Sequence, residues 1–111
     1  MKGTIDISKF SAFDWDDGNV HKNKDKHNVI KKECEEVFFN KPYIVLYNQK
    51  HSIYENRFFI YGYTDKKRFL TIIFTVRENK IRVISARDQS KKEKTYYINK
   101  TNDLYPKGGE L

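Results

Sequence analysis

The stretch that decides the fold is FLTIIFTVRENKIRVISAR, which occupies residues 69–87. Residues 69–77 predict a β-strand with two unlike faces, because successive side chains of a strand point to opposite sides. One predicted face carries Leu70, Ile72, Phe74 and Val76, and the other carries Thr71, Ile73, Thr75 and Arg77. Residues 78–80 form a short polar connection, and residues 81–87 form a second predicted strand. Because so short a connection joins antiparallel strands, the stretch predicts a β-hairpin.

Two more strands are predicted before this hairpin. Residues 43–47 are a short apolar run, residues 57–63 are rich in aromatic side chains, and a polar loop at residues 48–56 separates them. Turn-forming residues at 64–67 lead directly into the strand that begins at residue 69. Strands joined in chain order by polar segments predict a four-stranded antiparallel meander.

A polar helix is predicted before the strands. Asp16 is a suitable N-cap for a helix that ends at His27, and Asn28 is a suitable left-handed residue after it. Val20 is the only apolar side chain between residues 19 and 27. Three polar residues share its face: Asn23, Lys24 and His27. This helix therefore offers more functional groups than core groups.

The second predicted helix is amphipathic. Its apolar stripe has helical spacing and consists of Ile30, Cys34, Val37 and Phe38. Pro42 ends it, because the residue before a proline avoids the helical conformation.

A last helix follows the sheet. Ser90 and Glu93 have the spacing of a capping box, which predicts a helix from there to about Asn99. Residues 1–12 are expected to be an arm or a short strand, and residues 101–111 a flexible tail, which leaves one domain at residues 13–100. Helices first, then a sheet, then a helix is the α+β fold class.

Composition limits the possible classes of protein. The chain has 111 residues, 38% of them hydrophobic, which suffices for one small core. No run approaches the roughly 20 apolar residues of a membrane helix, and the first residues lack the apolar core of a secretory signal. With Cys34 as the single cysteine, we expect no internal disulfide, no thiolate metal site and a cytoplasmic location. The net charge of +7 favours a partner that carries phosphates or is an acidic protein.

The available chemistry is that of cations, histidines and tyrosines. The sequence has no glycine-rich phosphate loop, no Gly-x-Ser-x-Gly motif and no His-Glu-x-x-His motif. Arginines at the ends of strands can bind a phosphate through two parallel hydrogen bonds, as Arg57, Arg77 and Arg87 could. Arg82 and Arg87 differ in parity along the last strand, so strict alternation predicts that they point to different faces.

Each candidate residue also has a structural interpretation, and the sequence alone does not decide between the structural and the functional role. The arginines can be edge charges kept in water, and His27 can be a general base or a favourable charge at the end of a helix. Glu93 can be a catalytic carboxylate or the reciprocal member of the capping box. Tyr96 and Tyr97 can donate to phosphate or be half-buried core residues.

Several motifs together resemble the BrnT toxins of bacterial BrnT–BrnA type II toxin–antitoxin systems. The resemblance covers residues 13–97 and is most specific at residues 81–87, IRVISAR. The other matching residues are Phe13-Asp14-Trp15-Asp16, Asn23, Lys26-His27, Val29, Glu55-Asn56-Arg57-Phe58, Gly62, Glu93 and Tyr96. The chain departs from the pattern at three positions. Asn19 replaces a lysine and brings one cation of the site into question, while Asn28 and Ile30 replace residues at helix ends.

The resemblance implies a RelE-like fold and RNA cleavage that blocks translation. A mechanism consistent with the cations, histidines and tyrosines uses no metal and no cofactor: the 2′-hydroxyl of RNA attacks the neighbouring phosphorus, cations stabilise the charge on the phosphate oxygens, and a proton acceptor and donor assist. The partner implied by the resemblance would be a BrnA antitoxin that also binds the operator DNA, with a toxin dimer inside a heterotetramer. The alternative is a basic module, or a degenerate toxin, that binds nucleic acid or an acidic antitoxin without cleavage.

The predicted site has two groups of residues. The catalytic group is His27, Arg57, Arg77, Arg87 and Glu93. The RNA-binding group is Lys26, Arg82, Lys91, Lys92 and Tyr97.

Overall fold

The helices and strands follow the predicted order. The computed structural model describes residues 5–10, 12–51 and 54–104. Within these residues the elements are α1 (Asp17–His27), α2 (Lys31–Phe39), β1 (Ile44–Tyr47), β2 (Phe58–Tyr63), β3 (Phe69–Arg77), β4 (Lys80–Asp88) and α3 (Lys91–Leu104), with short 3-10 turns at Ile7–Lys9 and Gln49–His51.

The strands form one antiparallel sheet in the order β1-β2-β3-β4, which confirms the predicted meander and the α+β class. The tight turn between β3 and β4 has Glu78 and Asn79 at φ 50° and 64°. Two successive residues with positive φ match the right-handed twist of a hairpin. The hairpin therefore closes as the sequence predicts.

One irregularity changes how side chains are distributed on β4. Ile73 pairs with Ser85, but the next residue, Phe74, pairs with Val83. Ile84 is therefore an extra residue, and such a β-bulge shifts the alternation of the side chains beyond it.

The bulge brings two arginines to the same face of the sheet. Arg82 lies opposite Thr75 and Arg87 lies opposite Thr71, and the two threonines point to one side of β3. The prediction that Arg82 and Arg87 point to different faces is therefore wrong. Strict alternation fails because the strand contains one residue more than the ladder uses.

Helix α2 covers the other, apolar face of the sheet. Cys34, Val37 and Phe38 are buried against it, as the stripe predicts, but Ile30 stays 45% exposed because it precedes the helix as its N-cap. The packing leaves no room for a side chain at Gly62, where a Cβ atom would lie 2.8 Å from Cγ1 of Val37.

Helix α1 lies along the outer edge of β4 and contacts it through asparagines. Asn19 Nδ2 donates to the Val83 carbonyl at 3.1 Å, and Asn23 Oδ1 accepts from the Ala86 N–H at 2.9 Å. Both asparagines are buried, whereas Val20 is only partly buried. The face of α1 that packs on the sheet is therefore polar. Its asparagines form hydrogen bonds with backbone N–H and C=O groups that would otherwise be unpaired at the edge of β4.

The chain ends partly differ from expectation. Helix α3 continues to Leu104, beyond the expected end near Asn99, and the rest of the expected tail, residues 105–111, lies outside the described residues. In the expected N-terminal arm, Ile7 is buried against the core, and residues 1–4 and 11 are not described. Phe13, which follows this arm, forms a single parallel bridge with Ile81 at the edge of the sheet.

Candidate functional site

A cleft of about 250 Å³ brings together positive side chains from four parts of the chain. We call it the arginine cleft, and its charged residues are Lys22, Glu55, Arg57, Arg77 and Arg82. It lies beside the N-terminal end of α1, since Gly18 and Asn19 also line it. The cleft thus joins the sheet, α1 and the loop before β2.

The sheet register explains why these arginines meet. Arg57 immediately precedes Phe58, which pairs with Phe74, so Arg57 approaches the side of the sheet that carries Thr75. Thr75 also fixes the loop, because its hydroxyl donates to the carbonyl of Asn56 at 2.6 Å. Arg82 is directly opposite Thr75. One row across the sheet therefore holds Arg57, Thr75 and Arg82.

Glu55 lies between two of the arginines. Its Oε1 accepts from Nε and Nη2 of Arg77 at 3.2 and 3.1 Å, and its Oε2 is 3.5 Å from Nη2 of Arg57. Arg77 remains half exposed. A carboxylate in this place orders both guanidinium groups and leaves Arg77 accessible to an anion from solvent.

Arg82 is held by the start of α1. Its Nη2 donates to Asp16 at 2.8 Å, and its Nη1 is 3.5 Å from an Asp14 carboxylate oxygen. The pKa of Asp16 is lowered, first by the hydrogen bond from the Asn19 backbone and then by the hydrogen bond from Arg82. The N-cap of α1 therefore stays ionised and fixes the direction of Arg82.

Arg87 and Glu93 form a separate ion pair. The two guanidinium nitrogens Nη1 and Nη2 of Arg87 donate to Oε1 and Oε2 of Glu93 at 2.7 and 2.8 Å. Glu93 also accepts from the Thr71 hydroxyl at 3.0 Å and from the Ser90 N–H at 2.8 Å. Arg87, more than any other group, lowers the pKa of Glu93 to about 2. A carboxylate with so low a pKa is a weak base at neutral pH, because a general base works best with a pKa near the working pH.

This pair lies away from the arginine cleft. Arg87 is opposite Thr71 and Arg82 is opposite Thr75. The two threonines are four residues apart on β3, which corresponds to about 13 Å. Of the three arginines predicted to clamp phosphate, the structure brings together Arg57 and Arg77 and leaves Arg87 with Glu93.

His27 lies at the far end of α1. Its carbonyl accepts a hydrogen bond from Arg68 at 3.2 Å. The pKa of the nearby Asp88 carboxyl is lowered mainly by Arg68, and His27 adds a smaller electrostatic effect in the same direction. Roughly two helical turns, about 12 Å, separate His27 from Asn19 at the arginine cleft. Lys26, beside it, is exposed. The structure does not bring either residue to the arginines.

The remaining predicted residues belong to α3. Lys91 and Lys92 are exposed in its first turn. Tyr97 is only 3% exposed, and its hydroxyl donates to the Pro42 carbonyl at 2.6 Å. Burial raises the pKa of Tyr97 to about 12. Tyr97 therefore holds α3 against the start of β1, and its hydroxyl is already used.

A family model for the ribonuclease toxin BrnT of type II toxin–antitoxin systems matches residues 15–93, well over half of the chain. The chain belongs to the BrnT family. A search of curated proteins found no match. Membership means that the chain is of the ribonuclease toxin class, whose members act on RNA and are paired with an antitoxin. All five charged residues of the arginine cleft lie inside the matched region.

Two residues of the cleft, Lys22 and Glu55, were not predicted. Glu55 belongs to the Glu55-Asn56-Arg57-Phe58 motif that resembles the BrnT pattern, and that motif could have suggested it. Lys22 is one turn after Asn19, the position where the BrnT pattern has a lysine. Residues three apart share a helix face, so Lys22 supplies a cation beside the place where Asn19 lacks one.

The described part of the chain lacks two other features. No helix within it combines the length and the apolar character needed to cross a bilayer. Across residues 5–10, 12–51 and 54–104, no three His, Cys, Asp or Glu side chains are grouped as metal ligands.

Proposed function

We propose that this BrnT protein is an endoribonuclease that cleaves RNA by metal-independent transesterification, with the arginine cleft as its active site. The observation that carries the proposal is the meeting of Arg57, Arg77 and Arg82 in one cleft with Lys22 and the carboxylate of Glu55. Guanidinium groups bind phosphate oxygens through paired hydrogen bonds and stabilise charge that develops on them.

The chemistry needs one base and one acid beside these cations. The RNA 2′-oxygen forms a bond to phosphorus, and the bond from phosphorus to the 5′-oxygen breaks. Glu55 accepts the proton of the 2′-hydroxyl, because it is the carboxylate that lines the cleft. Lys22 donates a proton to the departing 5′-oxygen. The products are a 2′,3′-cyclic phosphate and a 5′-hydroxyl, so atoms and protons balance.

The ion pair of Arg87 and Glu93 has a supporting role in this proposal. It attaches the first turn of α3 to β4 and to Thr71 of β3. His27 and Lys26 lie on the opposite end of α1 from the cleft, where they are available for contacts with the RNA backbone. The fold therefore separates the reacting phosphate from its outer contacts.

The proposed partner is a BrnA-type antitoxin that carries acidic groups. A net charge of +7 and a cleft with more cations than carboxylates favour an acidic segment that covers the arginines. In this proposal two toxins and two antitoxins form a heterotetramer in the bacterial cytoplasm. Operator DNA is bound through the antitoxin only.

The test is incubation of the purified protein with a defined RNA in excess EDTA, followed by analysis of the product ends. We expect fragments that end in 2′,3′-cyclic phosphate. Arg77→Ala should lower the rate on the order of 10²-fold or more, since it removes one donor to the developing charge. Glu55→Gln should lower it by about 10²-fold or more because it removes the base. Lys66→Ala, which removes an exposed cation from the β2–β3 turn, is the matched control.

Two results would contradict the proposal. Cleavage that requires added Mg²⁺ would show that the mechanism depends on a metal. Tight RNA binding by folded protein with no product, even when ribosomes are supplied, would favour the non-catalytic binding module. That module also predicts a steep salt dependence and graded losses from each cation.

A further inference from the structure

A second cleft, of about 330 Å³, lies at the other end of the sheet face that carries the arginine row. We call it the tyrosine cleft, and it is lined by Leu46, Tyr61, Lys92, Glu93 and Tyr96. Tyr61 pairs with Thr71 across β2 and β3, so it lies on the same face as Thr71 and Thr75. The two clefts therefore open on one surface, about 13 Å apart.

The lining of the tyrosine cleft is suited to a flat aromatic ligand. The rings of Tyr61 and Tyr96 meet edge to face, with centroids 6.0 Å apart and planes at 85°. Tyr96 is still 38% exposed, so its ring is available for a further contact. A nucleobase gains from stacking on such a ring whatever its sequence, because every base has a π-face.

The charges around this cleft favour a ligand that is attached to an anionic backbone. The carboxylate of Glu93 is neutralised by Arg87 at 2.7 and 2.8 Å, so it does not repel phosphate. Lys92 lines the cleft, and the ammonium of Lys100 lies 6.0 Å from the centroid of the Tyr96 ring. A neutral aromatic floor with lysines at its rim is the arrangement by which proteins bind single-stranded nucleic acid.

The surface between the two clefts is apolar. Phe59 pairs with Ile73 midway between the arginine row and Tyr61, and both residues are only partly buried. Their side chains offer an apolar path along the sheet. A single strand that crosses this path meets an apolar surface with cations at both ends.

We propose that the tyrosine cleft binds a nucleobase of the same RNA strand whose phosphate occupies the arginine cleft. This inference rests on the proposed function and assigns Tyr61 and Tyr96 to substrate binding. At roughly 3.4 Å per stacked nucleotide, the separation of about 13 Å corresponds to about four nucleotides. The substrate is therefore single-stranded over several nucleotides, and a dinucleotide is too short to reach both clefts.

The experiment measures binding without cleavage. The probe is a short single-stranded RNA with 2′-O-methyl riboses, which lacks the attacking hydroxyl, and a dinucleotide of the same chemistry is the short probe. Tyr96→Ala should weaken binding of the longer probe about tenfold, the loss expected when one base–aromatic stack is removed, and leave the dinucleotide unaffected. Tyr96→Phe, which keeps the ring, should restore the affinity.

The matched control is Ile98→Ala. Ile98 lies on the same helix with 39% exposure, close to the 38% of Tyr96, but it lines a different cleft beside Pro42 and Phe69. We expect it to bind the longer probe like the unsubstituted protein. Urea unfolding of each variant separates a loss of fold from a loss of binding.

The outcomes separate this inference from the proposed function. Binding that depends on Tyr96, in a protein that cleaves no RNA, would support the tyrosine cleft and contradict only the catalytic proposal. Equal affinity of Tyr96→Ala and the unsubstituted protein for the longer probe would overturn the inference. So would a Tyr96→Ala variant that loses antitoxin binding and keeps RNA binding, because the cleft would then be a protein-docking surface.

Discussion

Replacement of Glu93 by glutamine should remove a pH-dependent part of the free energy of unfolding. The Glu93 carboxylate receives hydrogen bonds from Arg87, Ser90 and Thr71, and its pKa falls from 4.5 to about 2. A shift of one pKa unit corresponds to about 1.36 kcal/mol, so the full shift would be worth roughly 3 kcal/mol. Arg87 is 37% exposed, and screening by solvent reduces this to about 1–2 kcal/mol.

The sign follows from the lowered pKa in the folded state. The folded protein binds the Glu93 proton less readily than the unfolded chain, so the stabilisation is complete at pH values above the ordinary pKa of 4.5. It is lost as the pH falls from there towards about 2. Glu93→Gln resembles the protonated side chain, so its deficit should be full at pH 7 and should shrink in acid.

The assay is urea unfolding of both proteins at pH values between 7 and 3, monitored by far-ultraviolet circular dichroism. At pH 7 the variant should also melt about 4–16 °C lower, at about 4–8 °C per kcal/mol for a domain of this size. Asp25→Asn, at an exposed position of α1, controls for the loss of one negative charge. A deficit of the same size at pH 7 and pH 3 would refute the reasoning, because the ion pair would then not be its source.

Three further predictions concern the packing of helices on the sheet. Gly62→Ala should cost about 1–3 kcal/mol in thermal unfolding, because the added Cβ would lie 2.8 Å from Val37 Cγ1; an unchanged melting temperature would contradict this close approach. Asn23→Ala should cost about 1–3 kcal/mol in urea unfolding, since the buried N–H of Ala86 loses its acceptor, and a loss below about 0.5 kcal/mol would argue against that role. Cys34 should react with a thiol reagent only as fast as the protein unfolds, because burial raises its pKa to about 12; rapid reaction of native protein would rule this out.

The meander could be predicted because its signals are local. Alternation of apolar and polar residues along β3 and the short connection at Glu78 and Asn79 each specify one step of the sheet. The ends of α1 were also predictable, since Asp16 caps its start and Asn28 adopts φ 55° after its end. At both positions the residue type itself favours the local conformation, so no contact distant in sequence is needed to predict it.

The bulge could not be predicted from the same pattern. Residues 81–87, IRVISAR, contain no glycine or proline that would mark an extra residue. Both odd-numbered and even-numbered positions of this strand carry apolar side chains, so the pattern shows no break. Val83 is buried before the bulge and Ala86 is buried after it. Counting by two therefore gives the wrong face for Arg87 when it starts from Arg82.

The candidate site was only partly predictable because it depends on contacts distant in sequence. Arg57, Arg77 and Arg82 could be named from their positions near strand ends, but nothing local states that α1 lies beside them. That placement depends on Asn19, which stands where the BrnT pattern has a lysine. In the fold, the Asn19 side chain donates a hydrogen bond to the Val83 carbonyl. The polar face of a helix can thus be a packing face.

The extra residue in β4 also limits how this strand can be exchanged or edited. If β4 kept Ile84 but paired without the bulge, every residue after Val83 would move by one position along β3, so that Arg87 would lie opposite the inward-facing Leu70 and Ala86 opposite Thr71. A guanidinium group would then meet an apolar interior, while the Ala86 methyl would replace it at the surface. An alignment or a grafted hairpin that treats residues 80–88 as an uninterrupted ladder would therefore mistake inside for outside over half of its length.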